Sequence, residues 1–391
     1  MLNIVETENK HTSGVYAKQT LTIVRGQGAS LFDIDGNEYL DCSSGHGVAN
    51  LGHAHPKIAE ALYKQANTLI TLFETFPNDQ RAALMEKITA LVPGMDRVFF
   101  CNSGTEAVEA SFKFSRISTG RKNIIAAMRA FHGRTYGSLS ATFNKKYREG
   151  FEPLLPGVSH VSYNNIEALE KAVNEETAAV ILEVVQGEGG VYPASAEYIQ
   201  AARRICDERG ALLIVDEIQT GFGRTGKMFA VQHYNVTPDL LTCAKSLAGG
   251  VPMGAVLIGP NVKNLTPGVH GSTFGGNPLS CAAANAALDV MREEDLPGQA
   301  AAKGAYLVEK LKKIESPNIR EIRGLGLMVG IEMKQKVTGY IKALQERKII
   351  ALNAGLTVIR LLPPLVITYE QIDHLVEVLT EVLTSEMQNS E

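Results

Sequence analysis

The sequence predicts an α/β protein: a mostly parallel sheet covered on both faces by helices, with a smaller α+β unit toward the C-terminal end. Three observations predict it. Short β-rich runs alternate with helical patterns through the middle of the chain. These runs are almost continuously apolar, as strands buried on both faces require. From about residue 300 the pattern changes to a long helix, then "IREIRGLGLMVGIEM", a helix, "VIRLLPPLVI" and a last helix.

Residues 1 to 50 include "LTIVRGQGASLFDIDGNEYLDCSSG", where Asp35-Gly36 is a turn signal within a meander of strands. The central strands are expected at "DRVFFCNSG", "NIIAAMRAF", "AAVILEVVQ", "ALLIVDEIQ", "LLTCAKS" and "GAVLIG". Between the third and fourth lies "SAEYIQAARRICDERG". Its Ile199, Ala202, Ile205 and Cys206 recur at helical spacing, and Gly210 stands where a C-terminal cap belongs. The 391 residues suggest two or three packed units, divided here as 1–50, 51–300 and 301–391.

Composition excludes several classes. A net charge of −4, with no dense Lys/Arg cluster, leaves no nucleic-acid or membrane footprint. Five scattered cysteines form no CxxC pair, so neither a zinc site nor a disulfide framework is favoured and no metal is expected. "MLNIVETENK" is charged where a signal peptide needs an apolar core, and no apolar run reaches membrane-spanning length. A cytoplasmic protein is the expectation.

The unusual polar residues fall just past the carboxyl ends of the strands, where such sheets bind ligands. Ser103, Gly104 and Thr105 open a helix after "RVFF", a place suited either to an ordinary cap or to a phosphate. Phe131 and Arg134 follow the next strand, able to cover a planar ring and clamp a carboxylate; His132 between them is weaker evidence. Asp216 ends "LLIV", with Gln219 after it. Such a carboxylate could ligate a metal, act as a base, or hold a protonated ring nitrogen. Lys245 emerges from "LLTCA" just before Gly249 and Gly250. A phosphate cradle, an aromatic, a strand-end aspartate and a lysine together suit pyridoxal 5'-phosphate, whose aldehyde takes a lysine amine as a Schiff base. The rival α/β classes, nucleotide-dependent oxidoreductases and kinases, would need a glycine fingerprint or a Walker lysine, and neither motif is present.

The strings "NSGTEA", "FHGRT", "QGEGG", "DEIQTGFGRTG", "AKSLAGG" and "HGSTFGGNP" resemble those of the class III, ornithine-type aminotransferases. The resemblance runs over essentially the whole chain. "GVANLGHAHP" and "GLTVIRLLPPL" bring it nearest to acetylornithine aminotransferases and to the transaminases of carrier-protein-dependent lysine and ornithine synthesis. The resemblance implies fold type I, with a seven-stranded sheet in a large cofactor-binding domain. Residues 1–50 would then contribute to the small domain and the substrate mouth. It implies that Lys245 is the Schiff-base lysine, that Asp216 pairs with the pyridine nitrogen, and that Gln219 lies near the ring hydroxyl. Ser103, Gly104 and Thr105 would bind the phosphate and Phe131 would stack on the ring. Thr273 would reach the phosphate of the other subunit, so an active homodimer with shared sites is implied, and Ser272 would contact substrate. Arg134 would hold the α-carboxylate, Tyr16 would stand at the substrate mouth, and Glu188 would mask Arg360 until a second carboxylate arrives.

The activity implied is transfer of the terminal amino group of an Nα-blocked diamino acid to 2-oxoglutarate, in arginine or lysine biosynthesis. That donor is acetylornithine or a carrier-protein-linked lysine or ornithine. Alternatives are ornithine or 4-aminobutyrate as donor, or aminomutase or racemase chemistry. Two departures from the family pattern, Val184 after Glu183 and Val108 in the phosphate helix, lie one step from the implied contacts.

Overall fold

The computed structural model describes residues 3–385. Its centre is a seven-stranded sheet. In chain order the strands are β1 (Arg97–Cys101), β2 (Asn123–Ala127), β3 (Val158–Val161), β4 (Thr177–Glu183), β5 (Leu212–Asp216), β6 (Leu240–Cys243) and β7 (Gly254–Ile258). Across the sheet the order is β1-β7-β6-β5-β4-β2-β3, and β7 alone runs antiparallel to its neighbours. Six of these strands stand where the apolar runs predict them. The seventh, β3, escapes the pattern because "VSHV" is a short edge strand with a single buried residue.

Both faces of the sheet are covered. Leu213 and Val215 of β5 join one apolar core, while Leu212 and Ile214 join another on the opposite face. Alternate side chains of one strand therefore both find apolar partners, which is why the runs read as continuous rather than alternating. Helix Ala196–Arg209 carries the predicted Ile199, Ala202, Ile205 and Cys206 inward, and Gly210 closes it at φ +64.

The N-terminal strands Ile23–Gln27, Ser30–Asp33 and Glu38–Asp41 form the expected meander, turning at Gly36 with φ +84. A strand from far along the chain, Ile349–Ile350, adds parallel to Glu38–Asp41. Strands Ile319–Leu325, Met328–Met333, Leu352–Ala354 and Val358–Leu361 make a second four-stranded sheet; helix Leu296–Leu311 packs on it, and helix Tyr369–Thr384 packs on that helix. No helix among the described residues is long and apolar enough to cross a membrane.

Candidate active site

The carboxyl ends of β1, β4, β5 and β6 open on one cavity of about 490 Å³, within the size range of small-molecule sites. Ser103, Gly104, Thr105, Phe131, Arg134, Asp216, Gln219, Glu188 and Lys245 all line it.

Lys245 follows β6 at the start of a 3₁₀ turn, Lys245–Ala248. Its φ of +24 lies in the region that disfavours a side chain, and the next turn passes through Gly249 at +60 and Gly250 at +107. The glycines absorb the sharp reversal; the lysine itself is strained. Burial lowers the Lys245 ammonium below its usual range, although Glu188 and Asp216 pull the other way. More of the amine is therefore uncharged and nucleophilic than on a solvated lysine.

Asp216, only 4% exposed, ends β5. His132 Nδ1 lies 2.7 Å from its Oδ2, and the Ile218 N–H donates to its Oδ1 at 3.0 Å. Burial alone would lower the His132 pKa, but the bond to Asp216 and that carboxylate's charge outweigh it and hold the imidazole above its usual range. A loop histidine that carried little weight in the sequence is thus the partner of the strand-end aspartate.

The helix Gly104–Thr119 begins at the cavity wall with Ser103 as its cap, the Ser103 Oγ accepting from the Glu106 N–H at 3.3 Å. The cap deals with one N–H of the first turn, and Gly104 and Thr105, at the positive end of the helix dipole, line the cavity. At Gly104 an added Cβ would come within 2.8 Å of Ile218, next to the Asp216 turn. Thr105 Oγ1 is bonded to Ser138 Oγ at 2.6 Å and Thr135 Oγ1 at 2.8 Å. Phe131 packs edge-on against Tyr147, whose ring also lies 4.4 Å from the Arg134 guanidinium.

Glu188 Oε1 lies 2.6 Å from Arg360 Nη1, and the same nitrogen donates to Gln219 Oε1 at 3.3 Å. Arg360 is fully buried, and its Nε and Nη2 find no partner among the described residues. Burial acts to raise the Glu188 carboxyl, but Arg360 outweighs it and holds the group below its usual range. These two unpaired nitrogens leave the guanidinium with donors to spare for a second anion.

Besides Arg360, which sits behind Glu188, three candidates do not line the cavity. Tyr16 is 71% exposed, and Thr273 is also exposed. Ser272 touches the wall indirectly, its Oγ accepting from Asn102 Nδ2 at 3.1 Å. Val108 and Val184 are both fully buried.

Glu183 is not among the residues the sequence singles out, although it ends β4 as Asp216 ends β5, and the two are register partners across the sheet. Burial, opposed by His132 and supported by Asp216, brings its carboxyl up to about 7. The signal that singled out Asp216, a carboxylate at the end of an apolar run, applied to it equally.

The residues present fit pyridoxal 5'-phosphate. A lysine of lowered pKa, a buried carboxylate held by two donors and a helix N-terminus converge on a cavity of suitable size.

Comparison with known proteins agrees with this. A transaminase of Deinococcus radiodurans, described as LysW-aminoadipate semialdehyde transaminase, is 51% identical over 383 residues, covering 97% of this chain and 89% of its own. The acetylornithine aminotransferase of Methanocaldococcus jannaschii is 45% identical, with 98% of each chain covered. The crystal structure of the ornithine aminotransferase from Toxoplasma gondii, with partial occupancy of PLP at its active site, superposes with a TM-score of 0.94 at 34% identity. That match covers 97% of this chain and 93% of the other. The profile of the family "Aminotransferase class-III" matches residues 13–383, nearly the whole length, and the chain belongs to that family.

Proposed function

We propose that this aminotransferase moves the terminal amino group of an Nα-blocked diamino acid to 2-oxoglutarate, giving a semialdehyde and glutamate, in arginine or lysine biosynthesis. The observation that carries the reading is the buried Arg360 held by Glu188, a residue that lines the same cavity as Lys245 and Asp216. A site that alternates between a donor without a second free carboxylate and an acceptor with one needs a cation that is masked for the first and released for the second. The relatives named for acetylornithine and for LysW-linked aminoadipate semialdehyde support a donor whose α-nitrogen is blocked. The LysW name supports a carrier protein as one form of that block.

Pyridoxal phosphate, when bound, supplies the electron sink that makes the proton on the amine-bearing carbon acidic. Gly104 and Thr105 would hold the phosphate at the helix N-terminus, Phe131 would cover the ring and Gln219 would face its hydroxyl. Asp216, steadied by His132 and the Ile218 N–H, would keep the ring nitrogen protonated. Lys245 would hold the cofactor through Nζ and, at the same position, would move the proton at the donor carbon. Arg134 would grip the α-carboxylate. Each site would be completed by Thr273 of a second copy, in a homodimer, with Tyr16 at the mouth. The division into 1–50, 51–300 and 301–391 is part of the same reading; the pairing of Glu38–Asp41 with Ile349–Ile350 supports grouping the first segment with the last.

Lys245→Ala is expected to abolish 2-oxoglutarate-dependent glutamate formation and to shift the near-visible absorbance of the bound cofactor. Among acetylornithine, a LysW-linked lysine, ornithine and 4-aminobutyrate, kcat/KM is expected to be at least about tenfold higher for a blocked donor. Turnover retained in the variant, or preference for a free donor, would overturn the reading.

A further inference from the structure

Glu183 is a buried carboxylate facing the cavity for which the reaction above has no use. It makes two hydrogen bonds to backbone on different loops. Oε2 accepts from the Phe131 N–H at 3.1 Å, and Oε1 accepts from the Gly187 N–H at 3.4 Å. The first loop carries the aromatic proposed to cover the cofactor; the second carries Glu188, the next residue after Gly187. The far end of that second loop is also held. Arg323 Nη2 donates to the Gly190 carbonyl at 2.7 Å, and Arg323 Nε to the Val191 carbonyl at 3.0 Å. Between these two anchors Glu188 reaches Arg360.

We propose that Glu183 is a positioning residue that fixes the start of the Glu188 loop and so sets how completely Arg360 is masked, which governs the choice between the two substrates. The inference rests on the alternating roles given above to Glu188 and Arg360. Only a carboxylate accepts from both N–H groups at once. An amide in its place has one oxygen, and its NH₂ would meet a second donor. The oxygen stays with Phe131, the shorter bond, and Gly187 is released. A loosened Glu188 pairs with Arg360 part of the time, leaving the guanidinium open to anions.

The test uses Glu183→Gln holoenzyme in single-turnover half-reactions, one with acetylornithine and one with glutamate, together with calorimetric binding of glutarate, which offers two carboxylates and no amine. The ratio of donor to glutamate rate constants is expected to fall about tenfold, and glutarate to bind at least about threefold more tightly. A merely structural defect lowers both half-reactions together and does not tighten glutarate. Should the amide variant fail to fold, Glu183→Asp, too short to reach both loops, is expected to move the same two readouts in the same direction. An unchanged ratio with unchanged glutarate affinity overturns the inference while leaving transamination standing. Wild-type enzyme that does not react with glutamate at all overturns the transaminase reading itself, and the inference with it.

Discussion

At the scale of single residues, the site depends on charges that are buried and matched. Asp216 and His132 lie almost wholly out of water and 2.7 Å apart. Removing one member of such a pair leaves the other uncompensated, at a cost of about 3 kcal/mol. The sign of the pH dependence follows from His132, whose folded pKa is raised. Its contribution is fully present below about 6.5, the unfolded value, and is lost as pH climbs through the higher folded value. His132→Asn is therefore expected to destabilise the protein by about 3 kcal/mol at pH 6 and by clearly less at pH 9, read from urea titrations. A penalty that grows with pH would show that the imidazole is neutral in the fold. Asp216 and Lys245 are legible in the sequence because each polar group interrupts a local apolar run. His132 is not, because its importance lies in a partner more than eighty residues along the chain.

At the scale of elements, two helix starts meet behind the proposed phosphate site. Gly104–Thr119 and Tyr136–Ala141 are joined by Glu109, which accepts from the N–H groups of Gly137 at 2.9 Å and Ser138 at 3.1 Å. A carboxylate at a helix N-terminus satisfies donors and opposes the dipole together. Gly133 sits in this crossing with φ +130, and a Cβ there would lie 2.5 Å from both Thr105 Oγ1 and Ser138 Oγ. Backbone strain and overpacking act in the same direction, so Gly133→Ala is expected to cost about 2–3 kcal/mol and to weaken cofactor retention on dialysis. A variant with wild-type stability would mean that the crossing can open. Helix Ala196–Arg209, the helix start at Gly104 and six of the seven strands of the central sheet could be read from period and caps. The edge strand Val158–Val161 could not, since four residues with one buried carry no usable pattern.

At the scale of the whole molecule, exposed apolar side chains bear on assembly. Tyr63, Ile70, Phe73, Phe76 and Phe274 are all more than half exposed, and Phe274 is next to Thr273. Large apolar side chains exposed in this number are expected to be covered by another chain, and the proposed homodimer would cover those next to Thr273 with a second copy. Thr273 would then complete the partner's site, and a mixing experiment follows. Lys245→Ala and Thr273→Ala, each inactive alone, are expected to recover about a quarter of wild-type activity when dissociated and reassembled together, because half the dimers would be mixed and each would hold one intact site. No recovery would place each site within one chain.

The amino-acid sequence by itself determined the α/β layering, the strand-end positions of Lys245 and Asp216, and the helix start at Gly104. These follow from apolar period, turn residues and caps, all of which act over a few neighbours. Only the tertiary structure decided which of these groups meet. His132 finds Asp216, Glu183 spans two loops, and the buried Arg360 of the C-terminal sheet reaches Glu188 at the cavity. Those pairings depend on strand order and on how the second sheet packs against the first, choices set by the burial of whole faces and not by any local pattern.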